Sequence, residues 1–238
     1  MLCGVILVGV AVAQKAPKDK GIRFGDIVLS GFDKAQLDLG VSASASGPGT
    51  VVDAVDPDRK TTAQLRAKEI VARMVRDRKP GEAPRGVGRV ETITAQGDVR
   101  FNAVRKPEGA KGDQVIRATG TRAVYERLKQ QLTLTGPVTF SAEQPNAEGK
   151  GTERVTGKAD RAVYDEGKRI LQLFGNVEAT VVTPDTPPEG STVTGDEVKI
   201  EMATEPYRVT ISNPSLKGAV NLRIVVPEPG DRKDSKKP

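Results

Sequence analysis

A beat of 39 residues runs through the middle of this chain and leaves little choice of architecture. Arg122-Ala123-Val124-Tyr125 returns as Arg161-Ala162-Val163-Tyr164, and Leu132-x-Leu134-x-Gly136-x-Val138 returns as Leu171-x-Leu173-x-Gly175-x-Val177. The same step back from Gly136 reaches Gly97, in Ile93-Thr94-Ala95-Gln96-Gly97-Asp98-Val99, so Gly-Asp-Val, Gly-Pro-Val and Gly-Asn-Val recur in register. A weaker fourth copy, Val209-Thr210-Ile211-Ser212-Asn213-Pro214, is one residue short of register and has Asn in the place of the glycine. Related segments precede the copies at Thr119-Gly120, Thr156-Gly157 and Thr194-Gly195.

Each unit reads as strand, turn, strand. In Leu132-Thr133-Leu134-Thr135-Gly136-Pro137-Val138-Thr139-Phe140 apolar and small polar residues alternate at period two, which sets Leu132, Leu134, Val138 and Phe140 on one face and the threonines on the other. A helix would scatter both sets around its axis. Leu171, Leu173, Val177 and Val181 repeat the parity, and Ile93, Val99 and Phe101 supply it in the first copy. Glu126-Arg127-Leu128-Lys129 and Asp165-Glu166-Gly167-Lys168 are polar reverse-turn signals between arms, whereas Gly97, Gly136 and Gly175 fall in mid-strand, where glycine marks a bulge or bend. The expected class is all-β: a curved antiparallel sheet of repeated strand-turn-strand units.

Composition narrows the chemistry. The chain of 238 residues has no His, and its sole Cys is Cys3. That removes Ser-His-Asp hydrolases, papain-like proteases, zincins and haem-His sites together, and leaves neither a disulfide framework nor a zinc cluster. No catalytic residue, metal site or cofactor is expected. Gly151-x5-Gly157-Lys158-Ala159 has one residue too many, and no Ser or Thr, for a phosphate-binding loop. Aromatic residues make up 3% with no Trp, so the core must be built from Val, Ile, Leu and Ala.

Outside the repeats the signals are weaker. Leu2–Ala13 is an uncharged run too short to span a bilayer: as a helix it reaches about 18 Å against roughly 30 Å of hydrocarbon. It ends in Ala11-Val12-Ala13 before Gln14, the small-x-small pattern of an export signal, so residues 1–13 are read as a signal peptide, with a retained short anchor as the alternative. An exported chain whose mature part lacks cysteine fits a bacterial periplasm. Residues 14–226 are read as one domain, with its clearest repeats over 90–215, and 227–238 as a disordered charged tail. Ser42 to Gly49 reads as a break between strand-like pieces. Thr62 to Lys79 satisfies helical spacing at Ala67, Ile70, Val71, Met74 and Val75, yet Leu65-Arg66-Ala67-Lys68-Glu69-Ile70 resembles a repeat arm, and strand is favoured.

The unit T-G-x-x-A-x-Y, turn, L-x-L-x-G-x-V, repeated behind an export signal, resembles the OstA-like domain of the periplasmic lipopolysaccharide-transport proteins, the LptA type. The resemblance covers roughly residues 60–215, with a possible start near Ile22. It implies an antiparallel β-jellyroll, a folded-over sheet whose apolar interior holds lipid A acyl chains and whose open ends stack head to tail, with copies of itself or with envelope transport partners. The Pro-rich insertions, the basic segment ahead of the first clear copy and the tail depart from a compact member of that family.

A carrier of amphipathic lipid needs an apolar trough, because acyl chains gain about 0.8 kcal/mol per buried methylene, and cations at its rim, because phosphates must stay paired or wet. Val99, Phe101, Leu132, Leu134, Val138, Phe140, Leu171, Leu173 and Val177 are the candidate trough residues. The plainer alternative is that they only pack against an opposing sheet, as in a structural β-repeat protein of the envelope with no lipid ligand. Tyr125 and Tyr164, at one place in two repeats, mark a shared packing position rather than catalysis. Residues 59–89 hold ten cations against Glu69, Asp77 and Glu82, more net charge than the +6 of the whole chain. From these, Arg66, Lys68, Arg73 and Arg76 are the candidate rim for an anionic headgroup; the alternative is a solvated face. The basic segment lacks interleaved aromatics, so nucleic acid is not an expected partner. The expected function is a non-catalytic periplasmic carrier of lipopolysaccharide or another anionic lipid.

Overall fold

In the computed structural model every described element is a strand. Described are residues 21–38, 41–56, 60–75, 89–106, 112–145, 151–183, 189–203, 208–212, 215–217 and 224–225. The stretch read as an export signal, Arg76 and the charged stretch 227–238 lie outside them. Short strands come first: β1 (Ile22–Phe24), β2 (Ile27–Ser30), β3 (Lys34–Asp38), β4 (Ser42–Ser46), β5 (Val51–Asp56), β6 (Thr61–Arg66) and β7 (Glu69–Val75). Long ones follow: β8 (Arg89–Arg105), β9 (Gln114–Glu126), β10 (Gln131–Pro145), β11 (Thr152–Asp165), β12 (Ile170–Val182) and β13 (Ser191–Glu201). Three short strands close the chain, β14 (Arg208–Ser212), β15 (Ser215–Lys217) and β16 (Ile224–Val225). All join one sheet, antiparallel except for the β14–β16 pair. Among the described residues no helix is long and apolar enough to cross a membrane.

The six long strands run 11 to 17 residues, two to three times the usual length of about 5–6, because each crosses a crease. At that crease two residues of one strand face one residue of its neighbour. Gly97-Asp98 of β8 face Thr121 of β9, Gly136-Pro137 of β10 face Asp160 of β11, and Gly175-Asn176 of β12 face Asp196 of β13. Such bulges bend a strand and sharpen its twist. Repeated in register, they fold the whole sheet over into two layers.

The glycines are needed on two counts. Gly136 and Gly175 have φ of 93° and 71°, and a Cβ on either would lie 2.9 Å from Thr121 Cβ or 3.1 Å from Asp160 Cβ. Side chains then tie the bulges. Thr121 Oγ1 donates to the Thr135 carbonyl at 3.0 Å, Asn176 Nδ2 donates to Asp160 Oδ2 at 2.8 Å, and Lys68 pairs with Asp98 at 2.6 Å. Gly175→Val is expected to cost about 1–3 kcal/mol in urea denaturation through backbone strain alone; a loss below about 0.5 kcal/mol would show that the crease does not depend on this conformation.

The first layer holds β3, β4, β7 and the halves 89–96, 122–126, 131–135, 161–165, 170–174 and 197–201 of the long strands, ending in β14. The second holds β1, β2, β5, β6, the other halves and β15. Where the sheet runs out, two short strands replace one long one: β6 and β7 pair the two halves of β8, with Ala67-Lys68 as the corner, and β14 and β15 do the same for β13.

The expected folded-over antiparallel β-jellyroll is thus what the chain forms, and the strand reading of 62–75 holds. Its helix-like spacing arises from a corner: Ala67, Ile70 and Met74 are all buried because the parity restarts when the chain changes layer. The stretch read as a break is different. Ser42–Ser46 is a full strand, with Ala43 and Ala45 inward and the serines outward, and Gly47-Pro48-Gly49 alone makes the interruption. Inward side chains of both layers form one core of Val, Ile, Leu and Ala, to which Leu132, Leu134, Val138 and Phe140 all contribute.

Candidate functional site

Strand pairing lines up small residues at one end of the interior. Ala54, Ala63 and Ala103 are successive cross-strand partners on β5, β6 and β8, all facing the first layer. The matching row of the first layer is large: Ile93, Tyr125, Leu132 and Tyr164 on β8 to β11. Methyl groups against these side chains do not fill the gap, and a cavity of about 610 Å³ lies between the layers here. That is within the range of about 300–1,000 Å³ typical of small-molecule sites. Ile27, Val52, Leu65, Phe101 and Ile116 complete its apolar wall.

The mouth, away from the crease, is charged. Arg89, Arg105, Arg127 and Arg169 stand there with Asp26, Asp56, Glu91 and Glu166. Arg127, in the turn after β9, donates from Nη1 and Nη2 to the two carboxylate oxygens of Asp26 at 2.9 and 3.1 Å. Because Asp26 sits in the turn between β1 and β2, this bidentate pair ties one layer to the other across the opening. It is half-exposed, so it adds little to stability.

Farther along, the interior is closed. Gln114, Gln144 and Glu153 are buried on the second layer. Arg169 Nη2, from the first-layer turn before β12, donates to Gln114 Oε1 at 3.2 Å; Gln114 Nε2 donates to Gln144 Oε1 at 3.3 Å, and Gln144 Nε2 to Glu153 Oε2 at 3.0 Å. Buried polar groups persist when they satisfy one another, and this chain bolts the layers together. Beyond it Leu173, Val193, Val198 and Ile211 are fully buried against each other's layer.

Tyr125 and Tyr164 flank Leu132 in one row, so the shared position read from the repeat is a place on the cavity wall. Burial, with a smaller contribution from the Glu166 carboxylate, pushes the Tyr164 hydroxyl from 10.0 up to about 12. The fold therefore favours the neutral phenol, and Tyr164 supports stability fully below pH 10, losing that contribution as pH rises toward 12. Ultraviolet titration should show Tyr164 ionising near pH 12, a late step that Tyr164→Phe should remove; a late step unchanged in that variant, or none at all, would place the Tyr164 ring in water.

Of the nine apolar candidates, Phe101 and Leu132 line the cavity. Val99, Leu134, Val138, Phe140, Leu171, Leu173 and Val177 are buried in the interior along the crease and beyond the polar bolt. Of the four cations, Arg66 and Arg73 are exposed on outward positions of β6 and β7, and Lys68 is held at the corner by Asp98; none of the three lines the cavity. Among the described residues no group of acidic or cysteine side chains is placed to hold a metal. The alanine row, the Asp26–Arg127 tie and the Gln114–Gln144–Glu153 chain carried no sequence signal, because each depends on which strands become neighbours.

Comparison with known proteins gives a match to part of the chain. Residues 150–206 match the model described as LptA/(LptD N-terminal domain) LPS transport protein. No curated protein matches the chain. Among solved structures, the chain is similar to LptH of Pseudomonas aeruginosa, described as the LptA-homologous periplasmic component of the conserved lipopolysaccharide transport device, at 19% identity and a TM-score of 0.45, over 70% of this chain and 99% of that one. The family match falls on β11 to β13, where the third repeat and its glycine bulge lie. The repeat read from the sequence and the matching family model coincide over this segment, residues 150–206.

Proposed function

We propose that this chain is a non-catalytic periplasmic carrier in lipopolysaccharide transport, which shields acyl chains of lipopolysaccharide, or of another anionic lipid, between its two layers. The observation that carries the reading is the apolar cavity of about 610 Å³ between the layers of an LptA-type sheet, with four arginines at its mouth. Each methylene moved from water into it gains about 0.8 kcal/mol, while headgroup phosphates stay at the wet, charged opening, where arginines alternate with carboxylates. Phe101 and Leu132 meet the acyl chain directly, and the other seven apolar candidates form the continuation of the same inward face. The N-terminal stretch 1–13, read as an export signal, supports a periplasmic address. The edges of β1 and β3 at one end of the sheet, which no other strand covers among the described residues, and the β14–β16 end at the other suit β-augmentation by copies of the chain or by envelope partners.

The tight interior beyond the polar bolt favours a second reading, a structural β-repeat protein that fills itself. Organic-solvent extraction of the purified exported protein followed by mass spectrometry separates the two. The carrier reading expects stoichiometric lipid; a folded preparation free of lipid supports the structural one.

A further inference from the structure

The outer face of the second layer, beside the crease, carries a cationic arrangement that the interior does not use. Arg66 of β6 is the direct cross-strand partner of Arg100 of β8, Arg100 faces Thr119 of β9, and Thr119 faces Thr139 of β10. The next outward row reads Gln64, Asn102, Arg117 and Ser141 across the same four strands. Together the two rows line a concavity of about 700 Å³. The rows alternate with inward residues; of these Phe101, Ala118 and Phe140 also border the concavity, and Phe101 and Gln64 border the interior cavity as well, so the two hollows lie back to back across one layer.

Like charges placed directly opposite each other on a sheet are destabilising, because the two side chains stand only about 4.5–5.5 Å apart. Here the local carboxylates relieve the pair only in part, through the Asp98 carboxylate, which feels the charge of Arg100. Asp98 is engaged by Lys68 at 2.6 Å, Glu143 lies 3.7 Å from Arg117, and neither Arg66 nor Arg100 has an ion-pair partner among the described residues. Asp113 is the one acidic residue lining the concavity. Donors are abundant. Thr119 Oγ1 and Thr139 Oγ1 are 2.6 Å apart, and whichever donates within the pair leaves the proton of the other for a ligand.

We propose that this concavity is a second ligand site, which binds a phosphomonoester carried on a sugar or a lipid headgroup. A phosphomonoester brings nearly two negative charges and three acceptor oxygens, which match a facing pair of planar guanidiniums that a single carboxylate would leave half-neutralised. Arg66 and Arg100 clamp the phosphate, Arg117 completes the positive field, and the Thr119–Thr139 pair with Gln64 and Asn102 supplies hydrogen bonds to neighbouring hydroxyls. Arg66, Arg100, Arg117 and the threonine pair do not line the interior cavity, so the site stands or falls separately from the carrier reading.

The test uses the purified full chain with two probes: glucose 1-phosphate followed by amide chemical shifts, and cosedimentation with phosphatidylcholine vesicles with and without phosphatidic acid. Binding of the sugar phosphate alone identifies a soluble or glycan-borne phosphate, binding of the acidic vesicles alone identifies a lipid headgroup, and binding of both identifies the shared group. In each case the double variant Arg66→Gln/Arg100→Gln should weaken binding at least tenfold, with a melting temperature equal to or above that of the parent. Arg66→Glu, which sets opposite charges across the strands, should raise the melting temperature and abolish binding. Arg73→Gln on the other layer should leave binding unchanged. Binding of neither probe, or binding indifferent to the double variant, overturns the proposal.

Discussion

Leu134→Asp is expected to cost the chain its fold, while Thr133→Asp one residue away is expected to be tolerated. Leu134 is 2% exposed, on the row of the first layer nearest the crease, between Ala123 of β9 and Ala162 of β11. Removing a leucine side chain from such a place costs about 2–5 kcal/mol, and putting a carboxylate into the vacated space adds desolvation. The sum approaches the whole stability of an ordinary domain, about 5–15 kcal/mol. Thr133 points outward and is half-buried, so a carboxylate there keeps its water and costs about 0.5 kcal/mol or less. Thermal melts by circular dichroism would read both; equal losses would contradict the two-faced strand on which the folded-over sheet rests.

Ala103→Trp is expected to abolish lipid retention with the fold intact. Ala103 ends the alanine row, beside Ile116 on the cavity wall, where an indole meets empty space rather than packed atoms. Overfilling a packed core costs about 1–3 kcal/mol, but that cost arises from displaced neighbours, which the cavity does not have. Ala142→Trp is the contrasting case. Ala142 belongs to the same transverse row, reached through Ile116, yet it is 1% exposed and lies outside the cavity lining. The account therefore expects Ala103→Trp to melt within a few degrees of the parent and to yield at least tenfold less extractable lipid, and Ala142→Trp to lose stability by the full overpacking cost.

The sequence carried the crease and the parity for a physical reason. Alternation at period two is written along one strand, and a bulge needs a residue that accepts positive φ, so Gly97, Gly136 and Gly175 signalled the bend without reference to any partner. The turns were legible on the same terms: Asp165 accepts the Lys168 backbone N–H at 2.8 Å, and that bond is the main cause holding its carboxyl below the usual range. The hollow was not legible. It comes from Ala54, Ala63 and Ala103 meeting across three strands with no common spacing, and whether Phe101 or Leu173 borders a cavity depends on what the opposite layer places against it. The cationic candidates show the same limit. Residues 59–89 are rich in charge, but the alternation of β6 turns Arg66 outward beside Leu65 and Ala67, and of that stretch's described arginines and lysines only Arg89 reaches the mouth, whose other arginines come from the far end of β8 and from two turns. Ser42–Ser46 was obscured because alanine and serine carry almost no hydropathy contrast, although they alternate as cleanly as leucine and threonine.

The central claim is that acyl chains lie between the layers at the end where the alanine row faces Ile93, Tyr125 and Leu132. A lipid bearing a photoactivatable group near the end of its acyl chain, crosslinked to the purified protein and mapped by peptide mass spectrometry, tests it most directly. The account predicts adducts on inward residues of the cavity wall such as Phe101, Tyr125, Leu132 and Tyr164, lost in Ala103→Trp; adducts confined to outward-facing residues, or unchanged by that substitution, would contradict it.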